Sequence, residues 1–181
     1  ATLDAEWAYW VLDLTHDFCI PVMAAIGRHR QTHAYRLGFG CHLAPELACL
    51  RALTELCQLI AIQAQAATAF DFSRIASEAY MLPADDMPVT AMQDFDVVDH
   101  ADIRDDIHFC IKRAAQLALE TIVVNYTRPD LPIHTVKVIV PGLCHIWPRL
   151  GAERLYAVPV TLGWRVSRLL EQQLNPIPLF L

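Results

Sequence analysis

The sequence has no surplus of positive charge. Its 14 Lys and Arg stand against 20 Asp and Glu, a formal net charge of -6. That balance argues against a nucleic-acid-binding surface. No uncharged apolar run reaches the roughly 18 residues of a membrane span, so no membrane insertion is expected. The opening residues, ATLDAEWAYWVLDL, lack the positive start of a secretory signal and carry Asp4 and Glu6 instead. Six cysteines occur (Cys19, Cys41, Cys49, Cys57, Cys110 and Cys144), but no two are spaced as CxxC. With neither signal nor paired spacing, they read as reduced thiols of a cytoplasmic protein. Internal repeats and low-complexity segments are also lacking.

What is there is apolar. At 181 residues the chain is long enough for one domain, 1–181, with one sizeable core. It is 55% hydrophobic and 19% charged, more apolar than an average soluble domain. Some of that surface is expected to be buried against a partner or a further segment. The N-terminus enters strand-like sequence almost at once, as in a chain that begins mid-domain.

Residues 7–14 and 20–26 read as buried strands joined by a turn at Thr15, His16 and Asp17. The stretch GRHRQTHAYRLGFG reads as a loop or hairpin ending at Gly38 and Gly40. Pro45 opens a helix expected to run to about Ala67, with Glu46 favouring its positive end. Residues 68–100 read as an irregular connection with one short helix. A second helix opens at Asp102, Asp105 and Asp106 and runs to about Glu120. Strands at 121–127 and 134–140 flank a turn at Arg128, Pro129 and Asp130. A short apolar run, YAVPVTLGW, then precedes a short polar helix near 165–173. The mix predicts an α+β fold, a mixed or antiparallel sheet packed with helices.

The first helix carries a polar stripe that admits two readings. At about 100° per residue, Leu50, Leu53, Leu56, Cys57 and Ile60 share a face. Arg51, Glu55 and Gln58 lie opposite. Spacing alone favours an i,i+4 ion pair between Arg51 and Glu55 facing water. The alternative is a ligand set, a carboxylate for Mg²⁺ beside a guanidinium for phosphate oxygens. Elsewhere the signals are weaker. His29 and His33 lack the further ligands a metal centre needs. Arg28, Arg30 and Arg36 read as a solvated basic loop. His42 reads as a helix-capping residue, and Cys144 beside His145 has no accompanying oxyanion motif.

Five stretches in order resemble the YcaO family: VLDLTHDFCIPVMAAI, GFGCHLAPELACLRALTELCQ, VVNYTRPDLPIHTVKVIVPGL, RLYAVPVTLGW and LNPIPLFL. The resemblance implies ATP- and Mg²⁺-dependent modification of a peptide substrate. In such proteins ATP phosphorylates a backbone amide oxygen, turning a poor leaving group into a good one. A Cys, Ser or Thr side chain attacking the same carbon gives an azoline, and external sulfide gives a thioamide. A non-catalytic subunit that completes a complex or docks a peptide is the rival reading.

By the same resemblance, Arg51, Glu55 and Gln58 line or support the ATP and Mg²⁺ site, with Glu55 on the metal. Pro176 and Pro178 match the family's proline-rich C-terminus, which implies a basic or orienting role for the Leu181 carboxylate. Leu179, Phe180 and Leu181 replace its third proline, and Leu59 and Ile60 follow Gln58 where the family commonly has an arginine. The family's other nucleotide segment, Ser-x-Gly-x-Ala-x-Gly, is absent. The chain is therefore expected to be the C-terminal half of a YcaO-like domain, needing the N-terminal half or a second chain, with a homo-oligomer also open.

Overall fold

Alternating small and large side chains decide how the first strands pack. A computed structural model describes residues 3–63, 78–83, 89–144 and 151–174. They fall into two compact units, one running to Asp99 and one of His100–Leu174. In the first, a helical turn α1 (Leu3–Glu6) leads into β1 (Trp7–Asp13), β2 (Val22–His29) and β3 (Tyr35–Cys41). The strands form an antiparallel sheet in that order. Its register sets Trp10 opposite Ile26, Ala25 opposite Gly38 and Met23 opposite Gly40.

Side chains on alternate residues face opposite ways, so the sheet has two distinct faces. Met23 and Ala25 pack with Ala48, Ala52 and Leu56 of α2 (Pro45–Gln63). Ile26, Tyr35 and Leu37 pack with Met81, which lies in a 3-10 turn, Ala79–Met81. The Trp10 indole N–H donates to the Met81 carbonyl at 2.7 Å, fixing that segment to the sheet. The connection contains a second 3-10 turn, Met92–Asp94. The expected end of α2 at Ala67 lies outside the described residues.

Of the loop or hairpin expected over residues 27–40, the structure has the hairpin, with β2 and β3 as its arms. β2 continues to His29, whose Nδ1 accepts the amides of Gln31 and Thr32 at 3.3 and 3.1 Å and so closes the turn. β3 then carries Gly38 and Gly40 in its middle and end. Glycine weakens an isolated strand, but here it admits the backbone of α2. A Cβ on Gly38 would lie 2.3 Å from the Ala52 carbonyl oxygen, and one on Gly40 2.0 Å from that of Ala48.

Tyr35 is buried, and its hydroxyl donates to Glu78 Oε2 at 2.7 Å. Burial, reinforced by the Glu78 carboxylate, pushes its pKa up from 10.0 to about 12. The folded state therefore holds this proton more tightly than the unfolded chain. The resulting stabilisation is complete below pH 10 and is lost as pH rises towards about 12. Denaturation midpoints of the native protein should fall through that window by an amount reaching about 2–3 kcal/mol. Tyr35→Phe should remove most of this slope, and an unchanged slope would exclude Tyr35 as its source.

The second unit begins with α3 (Ile103–Gln116), capped by Asp102, whose side chain accepts the Arg104 amide at 2.9 Å. This bond, with the Arg104 guanidinium, holds the Asp102 carboxyl below the usual range. The helix stops short of Glu120 because Ala118 takes a left-handed conformation, φ 56°. β4 (Ile122–Asn125) and β5 (Val136–Ile139) form an antiparallel hairpin. Arg128 and Asp130 pair at 2.6 Å in the connection between them.

The expected helix near 165–173 is reduced to a 3-10 turn, Glu171–Gln173. The helix lies earlier, as α4 (Glu153–Thr161). Pro159 lies inside it and has no N–H to donate to the Leu155 carbonyl one turn back. The α+β expectation holds, with both sheets antiparallel.

Candidate functional site

The glycine–alanine contact determines where the polar residues of α2 arrive. Taking Arg51 as zero, Ala48, Ala52 and Leu56 stand at about 60°, 100° and 140° around the helix. All three are buried. The sequence reading centred the buried face further round, on the leucines. Leu56, Leu53 and Ile60 do meet the core, but Leu50 is 58% exposed and Cys57 is exposed. The helix is turned because small residues allow the closest approach to β3, whereas Leu50 would hold the backbones apart.

This rotation moves Glu55 from a solvent stripe to the border of the contact. Its Oε2 accepts the backbone N–H of Phe39 in β3. One turn earlier, Arg51 Nη1 donates to the Cys41 carbonyl at 3.1 Å. Phe39 and Cys41 are two residues apart and turn their backbone groups to the same side of the strand, the edge of the sheet among the described residues. The expected Arg51–Glu55 ion pair is absent among the described residues. Each side chain instead satisfies a different backbone group of β3. Glu55 is half-buried, Arg51 is exposed, and Gln58 is exposed one turn further on.

Other candidates separate. Arg28 stands opposite Tyr35 and Arg36 opposite Gly27, so the two point to opposite faces of the sheet. Arg28 reaches Glu78 at 3.9 Å and lies over the Tyr35 ring. Arg36 donates to the Tyr35 carbonyl at 2.6 Å and lies over the Trp7 ring. Burial lowers the Arg36 pKa. They do not form a common anion site. His42 does not accept an amide of α2 itself; its Nδ1 accepts the Ala44 N–H at 3.0 Å, just before the helix begins at Pro45. No group of three or more His, Cys, Asp or Glu positioned for a metal exists among the described residues. Pro176, Pro178 and Leu181, and also His145, lie outside the described residues.

Sequence reasoning missed the Phe39 amide, because a backbone donor has no residue signature. A usable signal was nonetheless present. Gly38 and Gly40 at strand spacing precede Ala48 and Ala52 at helical spacing, a small-on-small pattern that marks a close strand–helix approach.

Comparison with known proteins supplies a context for this geometry. The sequence model of one family, described as YcaO cyclodehydratase, ATP- and Mg²⁺-binding, matches residues 1–144. An uncharacterised protein of Methanothermobacter thermautotrophicus is 30% identical over 150 residues, covering 74% of this chain and 38% of that protein. A solved heterocyclase in complex with substrate and cofactor is 37% identical with a TM-score of 0.87, over 97% of this chain and 25% of that one. The structure of the heterocyclase TruD is 38% identical with a TM-score of 0.88, over 98% of this chain and 26% of its own. The chain thus spans about a quarter of the two heterocyclases and 38% of the archaeal relative.

Proposed function

The chain belongs to the YcaO family, and we propose that it forms the C-terminal portion of a domain that cyclodehydrates Cys, Ser or Thr residues of a peptide to azolines. In this reading Arg51, Glu55 and Gln58 contribute one wall of a Mg-ATP site. The observation that supports it most is the anchoring of Glu55 and Arg51 on the edge of β3 rather than on each other. A mutual ion pair would turn the two charged groups onto each other and away from a ligand. Two separately held groups offer a carboxylate and a guanidinium.

The donor set fits such a ligand. Mg²⁺ is commonly held by one or two carboxylates together with phosphate oxygens and water, so Glu55 is a sufficient contribution from this wall. Arg51 retains guanidinium donors beyond the one used on Cys41, and guanidinium geometry matches phosphate oxygens. Gln58 adds an amide that can both donate and accept. ATP supplies the phosphoryl group that makes an amide oxygen a leaving group. The residues of this chain then orient that group and balance its charge.

The second unit supports the need for further polypeptide. Val123, Val136 and Val138 share one face of the hairpin and are 56–59% exposed. Ile103, Ile107 and Ile111, at helical spacing on α3, are also exposed. Ala114 is the one buried hydrophobic among the described residues of this unit. A two-stranded hairpin without cover is marginal in water, and apolar surface on this scale marks an interface.

Titration calorimetry with Mg-ATP tests the reading. The isolated 181-residue chain should show no micromolar binding. Co-expression with the rest of a YcaO domain should restore it. Micromolar binding by the isolated chain would overturn the requirement for a second portion. ATP binding that never appears in the complex would favour a non-catalytic subunit.

A further inference from the structure

We propose that Gly38–Phe39–Gly40 is the positioning element for the Glu55 carboxylate, with the Phe39 backbone N–H as the donor that orients it. This rests on Glu55 being the metal-facing carboxylate of the proposed Mg-ATP site. Two independent features of the same three residues carry it. The first is steric. Gly38 and Gly40 let β3 approach α2 until the positions of their missing Cβ atoms fall 2.3 and 2.0 Å from helix carbonyl oxygens. Any side chain at either position would force the two backbones apart and carry Glu55 away from the strand.

The second is polar. Between those glycines, Phe39 presents an amide at the edge of the sheet, and Glu55 Oε2 accepts it. The carboxylate is gripped through one oxygen. The other, Oε1, makes no hydrogen bond among the described residues. A carboxylate held in this way is prepared to bind a cation through one oxygen without spending side-chain entropy when the cation arrives. The device belongs to the backbone, so it acts whatever side chain stands at position 39.

Phe39→Pro tests this without disturbing the glycine packing. Proline removes the donor and is tolerated where an edge N–H faces away from the neighbouring strand. Two quantities are measured. Amide hydrogen exchange is read in the 181-residue chain, and affinity for Mn²⁺, standing in for Mg²⁺ with ATP present, is read in the complex co-expressed with the rest of the domain. In the wild-type chain the Phe39 amide should be protected. Glu55→Gln should keep much of that protection, because its side-chain carbonyl still accepts, whereas Glu55→Ala should lose it.

In the complex, Phe39→Pro should weaken Mn²⁺ by about 10–100-fold, the usual loss when a group orienting a metal ligand is removed. Adding Phe39→Pro to Glu55→Ala should cause no further loss, since the amide acts only through that carboxylate. Gly38→Ala keeps the donor but pushes β3 from α2, so it separates the amide from Glu55 by a second route and should also weaken Mn²⁺. If Glu55→Gln weakens Mn²⁺ but Phe39→Pro and Gly38→Ala leave it unchanged, the positioning role is wrong and the site stands. If Glu55→Gln itself leaves Mn²⁺ binding unchanged, the metal assignment is wrong, and the positioning role goes with it. An unprotected Phe39 amide in the wild-type chain overturns the proposal directly.

Discussion

Gly40→Ala is expected to destabilise the first unit by about 3 kcal/mol or more, at or beyond the upper end of ordinary overpacking costs. The added Cβ would stand 2.0 Å from the Ala48 carbonyl oxygen and 2.7 Å from the Ala52 nitrogen. Both atoms are helix backbone, so no rotamer change relieves the contact. Ordinary contact begins at 3.4 Å, and reaching it requires α2 to lift from β3. Lifting opens the core around Ala48, Ala52 and Leu56. Protein interiors do not absorb such displacements cheaply. Chemical denaturation followed by the fluorescence of Trp7 and Trp10, both in β1, should show the loss. Gly151→Ala is the matched control, with nothing within 4 Å of its Cβ. Equal midpoints for the two variants would mean that the close approach of strand and helix is not a feature of the folded protein.

The second large effect is on activity. In a complex that contains the rest of the domain, Glu55→Gln should lower ATP hydrolysis by about two orders of magnitude or more. Losses of this size follow removal of a single group that stabilises developing charge. Glutamine keeps an oxygen for the Phe39 amide but removes the negative charge, so the fold should be preserved while the cation is lost. Glu55→Ala should lose both and add a stability cost of about 1–3 kcal/mol, because the partly buried Phe39 donor is then left without its acceptor. Gln58→Ala, at an exposed position, should reduce turnover with little change in stability. ATPase rates and denaturation midpoints on the same preparations separate these contributions. Undiminished hydrolysis in both Glu55→Gln and Gln58→Ala would remove this face of α2 from the site.

The exposed valines of the hairpin and isoleucines of α3 bear on how such experiments are read. The isolated chain should bind an apolar dye strongly, and the co-expressed complex should bind it weakly. Dye binding that does not change on assembly would mean that the co-expressed chain covers a different surface.

The strands at β1, β4 and β5, the opening of α2 at Pro45 and the opening of α3 at Asp102 were all legible in the sequence. Each is a local preference: β-branched runs, a proline at a first helical turn, and an aspartate able to cap its own helix. The extent of β3 was only partly legible, because glycine-rich sequence fits a loop as well as a hairpin until a helix backbone is present to exclude a side chain. Nor was the rotation of α2. A leucine-rich stripe reads as the buried face when burial is ranked by side-chain size, but the true contact follows the smallest residues.

For Arg51, Glu55 and Gln58 the sequence alone determined only that they share a stretch of helix surface and that their surroundings resemble a nucleotide-using family. That much follows from a helical period and an ordered set of motifs. Only the tertiary structure decided that Arg51 and Glu55 leave each other for the Cys41 carbonyl and the Phe39 amide. The reason is that an i,i+4 ion pair in water gains a few tenths of a kcal/mol. A half-buried backbone amide at a sheet edge costs more than that to leave unpaired.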